Sequence, residues 1–99
     1  MNKIIISVDP DLADLVPGYF ENRKLELQSL KHFFEQQKWM EIQMIGHKLK
    51  GNAASYGFEK LTDLGASLEE SAKIKNQELT QQLILQIETY LTSVELKFP

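Results

Sequence analysis

Residues 79–98, LTQQLILQIETYLTSVELKF, carry the clearest structural pattern of this 99-residue chain. Their apolar side chains recur at gaps of three and four, a spacing that places them on one side of an α-helix. The members of this stripe are Leu79, Leu83, Ile87, Tyr90, Leu91, Val94 and Phe98. A stripe of about five turns needs other apolar surface to cover it. We therefore predict a long, core-facing helix in this region.

Three further segments show the same spacing, and we predict helices over residues 17–37, 39–56 and 59–75. Gly57 is expected to end the second of them in a left-handed conformation, and Asn76 to cap the helix that follows the third. The apolar stripes are Phe20, Leu27, Leu30 and Phe34, then Ile42, Ile45, Leu49, Ala53 and Tyr56, and then Leu61, Leu64, Leu68 and Ala72.

The start of the chain is interpreted differently. Residues 1–8 are rich in β-branched side chains, but the sequence offers no second strand to pair with them, so we predict a docked N-terminal tail. Asp9 and Pro10 indicate the start of a short helix. The predicted fold is all-α, an antiparallel four-helix bundle over residues 9–99 with a short extra N-terminal helix.

Composition excludes several classes of function. Fourteen acidic against eleven basic residues give a net charge of −3, which opposes binding to nucleic acid. The chain has no cysteine, so disulfides and thiol chemistry are excluded and the cytoplasm is the expected location. No apolar run exceeds three residues, the length of the run at residues 4–6, which is far too short to span a membrane. No metal site is predicted, because His32 and His47 fall short of the roughly four ligands of a zinc site.

The segment 39–56 departs from an ordinary amphipathic helix. On a helical wheel, His47 points away from the apolar stripe of this helix. Its neighbours on that outer side are Met40, Met44, Lys50, Gly51 and Ala54, where Glu and Lys would be usual. A glycine inside a helix costs roughly 1 kcal/mol relative to alanine. We therefore interpret Gly51 as clearance that lets another protein approach His47 closely.

An exposed imidazole can act as a nucleophile, because an unperturbed ring is largely neutral near pH 7. Lys50 lies one turn from His47 and supplies positive charge for a phosphoryl group bound there. The sequence contains no Gly-rich phosphate loop and no nucleotide signature, so the chain is not expected to be a kinase by itself. A lone surface histidine is most often only a solvated side chain, and His32 is interpreted in that way.

The residues around His47 resemble the motif of the histidine phosphotransfer (HPt) domains of bacterial phosphorelays. The resemblance extends over about residues 9–97 and rests on a run that continues into the next helix. The matching residues are His47, Leu49, Lys50, Gly51, Ala53, Ala54, Gly57, Leu61, Leu64, Leu68 and Glu69. It also implies a four-helix bundle, in agreement with the apolar stripes.

The resemblance implies a phosphohistidine carrier rather than an enzyme. His47 would accept a phosphoryl group from the aspartyl phosphate of one receiver domain and pass it to the aspartate of another. Lys50 would steady that group, Gly51 would provide clearance, and Glu69 would orient the imidazole or be a solvated carboxylate beside Glu70. The implied partners are response-regulator receiver domains and a hybrid sensor histidine kinase. No cofactor is implied, since Mg²⁺ would belong to the receiver, and a monomer is expected.

Two other functions remain open from the residues alone. A helical interaction module would bind a signalling partner through Met40, Met44 and Ala54 without ever carrying phosphate. A peripheral membrane helix is the least favoured alternative, because the apolar stripes are needed for the core and the net charge opposes anionic lipid.

Overall fold

The computed structural model describes residues 3–99, which form four α-helices and a two-stranded sheet. The elements in chain order are β1 (Ile4–Ser7), a 3₁₀ turn (Pro10–Leu12), α1 (Val16–Glu35), α2 (Trp39–Asn52), a second 3₁₀ turn (Ala54–Tyr56), α3 (Glu59–Lys73), α4 (Gln77–Ser93) and β2 (Val94–Lys97). The predicted all-α four-helix bundle is confirmed, with the sheet as an addition.

Successive helices run antiparallel because their connections are short. The connections are residues 36–38, 53–58 and 74–76. At one end of the α1–α2 pair the Tyr19 hydroxyl donates to Asn52 Oδ1 at 2.7 Å, and at the other end Phe34 meets Trp39 edge-on. Helix α2 also packs along α3, so it lies between α1 and α3 and has an outer face that contacts neither of them.

Local chemistry explains where the helices begin and end. Asn76 Oδ1 accepts the backbone N–H of Leu79 at 3.0 Å, as predicted for the cap of α4. The carboxylate of Asp9 caps the first 3₁₀ turn in the same way. Gly57 ends the second 3₁₀ turn with φ of 97°, a conformation that a side chain would oppose. The predicted ends of α1, α2 and α3 fall two to four residues beyond the observed ones, as is common for fraying helix ends.

The predicted stripes of the first three helices form most of the core. Phe34 and Tyr56 are half-buried, and the other members of these stripes are buried. The stripe of α4 is confirmed from Leu83 to Leu91. It is wrong at both ends, where Leu79 is 40% and Phe98 is 48% exposed.

The last helix also ends earlier than predicted, at Ser93, and the next four residues form β2. β2 pairs in parallel with β1, from Ile4 opposite Val94 to Ser7 opposite Lys97. The prediction of a docked tail without a partner strand is therefore wrong for residues 4–7, while residues 1 and 2 lie outside the described part of the chain. The division of the chain at residue 8 stays a prediction. Within residues 3–99, no helix combines the length and apolar character needed to cross a membrane.

Candidate functional site

His47 lies in the middle of α2 on the outer face of the helix, and its side chain is 72% exposed. The face falls between the side that packs on α1 and the side that packs on α3. Met40, Met44 and Gly51 share this face and are also exposed. No atom of residues 3–99 lies within 4 Å of the position that a Cβ on Gly51 would take, apart from the helix itself. The imidazole is therefore open to a partner molecule.

Helix α3 brings a carboxylate to His47 and Lys50. Glu69 Oε2 lies 2.7 Å from Nδ1 of His47, and Glu69 Oε1 accepts from Nζ of Lys50 at 3.2 Å. The Glu69 side chain is only 15% exposed, whereas the side chains of its two partners reach into solvent. The two helices thus form a cluster in which one carboxylate holds an imidazole and an ammonium group.

The protonation state of Glu69 decides which ring nitrogen of a neutral His47 carries the proton. Hydrogen bonding from His47, and then from Lys50, lowers the pKa of Glu69 below its ordinary value of 4.5, although partial burial acts in the opposite direction. Glu69 is therefore ionised at neutral pH and can only accept hydrogen bonds. The proton of a neutral His47 then lies on Nδ1, and the lone pair of Nε2 points away from Glu69 toward solvent.

The two lysines that flank His47 have different partners. Lys48 Nζ lies 3.1 Å from the carboxylate of Glu26 on α1, on the far side of α2 from Glu69. Lys50 joins the cluster because it projects toward α3. Of these two lysines, Lys50 is therefore the one that shares a carboxylate with His47, and its role toward a phosphoryl group stays a prediction.

Thr62 fixes the end of α2 against α3. Its hydroxyl accepts from the backbone N–H of Ala54 at 2.7 Å and contacts the carbonyl of Leu49 at 3.4 Å. The predicted helix over 39–56 is interrupted here, since residues 54–56 form a 3₁₀ turn. Ala54 is exposed as predicted, but it lies on this turn beyond the end of the α-helix.

Sequence reasoning missed Thr62 and two buried glycines, Gly46 on α2 and Gly65 on α3. The glycines lie where the two helices cross in backbone contact. Each interrupts a helical pattern at a cost of about 1 kcal/mol, which was the signal that singled out Gly51. Thr62 gave no signal of this kind.

Two further sequence predictions concern His32 and metal binding. His32 is exposed on α1, whereas the cluster is formed by His47 and Lys50 of α2 and Glu69 of α3. In the part of the chain that the structure describes, no group of three or more His, Cys, Asp or Glu side chains is arranged to hold a metal ion.

Comparison with known proteins identifies the family. The model of the Hpt domain matches residues 14–96, which is most of the chain and includes all four helices. No curated protein and no solved structure matches the chain significantly. Hpt domains are phosphotransfer carriers rather than kinases, and they interact with receiver domains of two-component systems. The chain therefore belongs to the Hpt domain family and has a histidine phosphotransfer role in phosphorelays.

Proposed function

We propose that His47 is the residue that carries the phosphoryl group, taking it from the aspartyl phosphate of one receiver domain and passing it to the aspartate of another. One observation supports this proposal most directly. The ring of His47 is exposed on the outer face of α2 while Glu69 accepts from its Nδ1 at 2.7 Å. That contact leaves the Nε2 lone pair as the free nucleophile.

The proposed transfer exchanges one bond to phosphorus for another. The lone pair of Nε2 attacks the phosphorus of the receiver's acyl phosphate, a P–N bond forms, and the P–O bond to the aspartate breaks. The aspartate leaves as a carboxylate and keeps the electron pair of that bond. The product is a phosphorylated imidazolium that retains its Nδ1 proton, and Glu69 compensates its positive charge. Passing the group to a second receiver reverses these steps.

Lys50 and Gly51 have supporting roles in this proposal. Lys50 Nζ binds the same Glu69 carboxylate as the imidazole, and its positive charge would favour a phosphoryl group on His47. The open surface beside Gly51 lets the receiver's acidic pocket close over the ring. Met40, Met44 and Ala54 supply adaptable apolar surface for that docking. Mg²⁺ belongs to the receiver, and the receiver of a hybrid sensor histidine kinase is the proposed donor.

A labelling experiment tests the proposal. A receiver domain charged with radiolabelled acetyl phosphate is mixed with the protein, and the label on the protein is followed. We expect acid-labile phosphate that His47→Gln abolishes, whereas His32→Gln on α1 labels like the wild type. Label that persists on His47→Gln would assign the phosphoryl group to another residue.

The same experiment separates this proposal from a purely helical interaction module. The exposed Met40 and Met44 side chains would also suit a partner that docks without transfer. Such a module would bind receivers with equal affinity before and after His47→Gln and would never become labelled. Labelling of the wild type would therefore show that the protein does more than dock to receivers.

A further inference from the structure

Helices α2 and α3 touch through their backbones where Gly46 faces Gly65. A Cβ on Gly46 would lie 2.6 Å from the backbone nitrogen of Glu69 and 2.7 Å from the carbonyl oxygen of Gly65. A Cβ on Gly65 would lie 2.5 Å from Cβ of Leu49 and 2.8 Å from the backbone nitrogen of Lys50. Distances this short do not occur between real atoms of this kind, so any side chain here would force the helices apart.

The atoms at this crossing belong to the residues of the site. Gly46 immediately precedes His47 and contacts the backbone of Glu69. Gly65 lies one turn before Glu69 and contacts the backbone of Lys50. The separation of the helices at the glycines therefore also sets how far the Glu69 carboxylate is from the His47 ring and the Lys50 ammonium group.

The two glycines at this crossing make their helices less stable, so they must be present for a reason other than helix stability. Two glycines inside helices cost together about 2 kcal/mol relative to alanine, because glycine loses the most backbone entropy. Gly18 on α1 is different, since no atom of residues 3–99 outside its own helix backbone lies within 4 Å of its Cβ position. The close approach at Gly46 and Gly65 is therefore a specific feature of the α2–α3 pair.

Thr62 extends the same contact line along α3. Residues 62, 65 and 69 lie on one face of the helix, since their spacings are three and four. Thr62 contacts Leu49 of α2 and Ala54 of the turn after it, Gly65 lies against Gly46 and Lys50, and Glu69 contacts His47. A hydrogen bond at one end and a backbone contact in the middle hold α3 in register, and Glu69 follows one turn later.

We infer that the Gly46–Gly65 crossing is a positioning element that fixes the tautomer of His47. By holding the helices in backbone contact, it keeps the Glu69 carboxylate within hydrogen-bond distance of Nδ1 and so leaves Nε2 free. This inference rests on the proposed function in that Nε2 is the reacting atom. Gly46 and Gly65 act through Glu69 and touch no reacting atom themselves.

The tautomer of His47 can be measured on the unphosphorylated protein by ¹⁵N NMR of the ring nitrogens above neutral pH. The wild type is expected to show a protonated Nδ1 and an unprotonated Nε2. Gly65→Ala and Gly46→Ala should lose this preference and approach the mixed tautomers of a free ring. Gly18→Ala is the matched control and should keep the wild-type spectrum. A crossing that serves only to pack the helices would lower stability in both variants and leave the tautomer of the folded protein unchanged, which would overturn the inference.

A second variant tests the same idea without adding atoms to the crossing. Glu69→Asp shortens the side chain by one methylene, and helices already in backbone contact cannot close the gap. The aspartate keeps a carboxylate that only accepts hydrogen bonds, but we expect it to lose contact with Nδ1 and with it the Nδ1–H preference. If Glu69→Asp keeps the wild-type tautomer, the helices adjust freely and the crossing does not set the distance.

These outcomes are distinct from a failure of the proposed function. Phosphoryl transfer is read by label on His47, and the tautomer is read without any phosphate donor. Absent label together with the expected loss of the tautomer preference in Gly46→Ala and Gly65→Ala would reject the carrier role alone. Normal labelling of the wild type with a tautomer that ignores Gly65→Ala would reject the positioning role alone.

Discussion

The carboxylate of Glu69 lies 2.7 Å from Nδ1 of His47 and joins α3 to the middle of α2. Hydrogen bonds from His47 and Lys50 lower the pKa of Glu69 below its ordinary 4.5. A carboxyl group with a depressed pKa in the folded state stabilises the fold above its unfolded pKa, and this contribution is lost as the pH falls through the folded value. The unfolding free energy of the wild type should therefore fall more steeply below about pH 4.5 than that of Glu69→Gln. Urea titrations of both proteins across this range test it, and parallel pH profiles would contradict it.

Removing the charge of Lys50 should slow phosphoryl transfer. The Lys50 side chain is 53% exposed and shares the Glu69 carboxylate with His47, so its charge acts through solvent and contributes less than a buried donor would. For Lys50→Gln we expect a decrease of about tenfold in the transfer rate, which corresponds to about 1.4 kcal/mol in the barrier. The rate is measured by single-turnover transfer from a charged receiver.

Lys48→Gln is the matched control for that experiment. It removes the same charge two residues away on α2, but Lys48 pairs with Glu26 on α1 and not with Glu69. Its transfer rate should stay within about twofold of the wild type, a change of less than about 0.5 kcal/mol. Equal losses in both variants would mean that only the overall charge of the surface matters and not the position of Lys50.

Filling the surface beside His47 should impair docking without harming the fold. The space at Gly51 is open, and glutamine is a better helix former than glycine by roughly 0.5 kcal/mol. Gly51→Gln should therefore be as stable as the wild type or slightly more stable, while its transfer from a receiver is slower because the KM rises. Thermal unfolding and initial transfer rates at several receiver concentrations measure the two effects. Gly18→Gln, in a similarly open helical position on α1, should transfer normally, and unchanged transfer by Gly51→Gln would remove the clearance argument.

The apolar stripes predicted the bundle because a helix buries one face, and local spacing reports which face that is. The same spacing failed after Ser93. Val94 and Phe98 continue the three-and-four pattern of α4, yet residues 94–97 also alternate between half-buried and exposed, as a strand does. The choice between the two depended on a partner strand at the other end of the chain, Ile4–Ser7, and no local pattern specifies such a distant pairing.

In the candidate site, too, the local pattern predicted some features and not others. It gave the direction of side chains but not the distances between helices. His47 and Lys50 could be singled out because a helical wheel gives the direction of each side chain, and Glu69 came only from the family resemblance. The wheel gives no distance between helices, so a contact of Glu69 with the imidazole was only one of two alternatives that the resemblance implied, and the crossing at Gly46 and Gly65 was not predicted. Gly46 and Gly65 could have been noticed in the sequence because each destabilises its helix. Only the packed structure shows that they allow backbone contact between α2 and α3.

The strand pair provides the last test, because its two faces should respond differently to the same substitution. Ile6 is half-buried, and its Cγ2 lies 3.4 Å from the position that a Cβ on Gly57 would take, whereas Ile5 is 53% exposed on the opposite face. Ile6→Ala removes apolar atoms packed on the core and should lower the unfolding free energy by about 1–2 kcal/mol. Ile5→Ala should change it by less than about 0.5 kcal/mol. Urea unfolding of the two variants measures this difference. Equal effects would be inconsistent with a strand whose alternate residues face the helices and the solvent, and would restore the unpaired tail as the description of this segment.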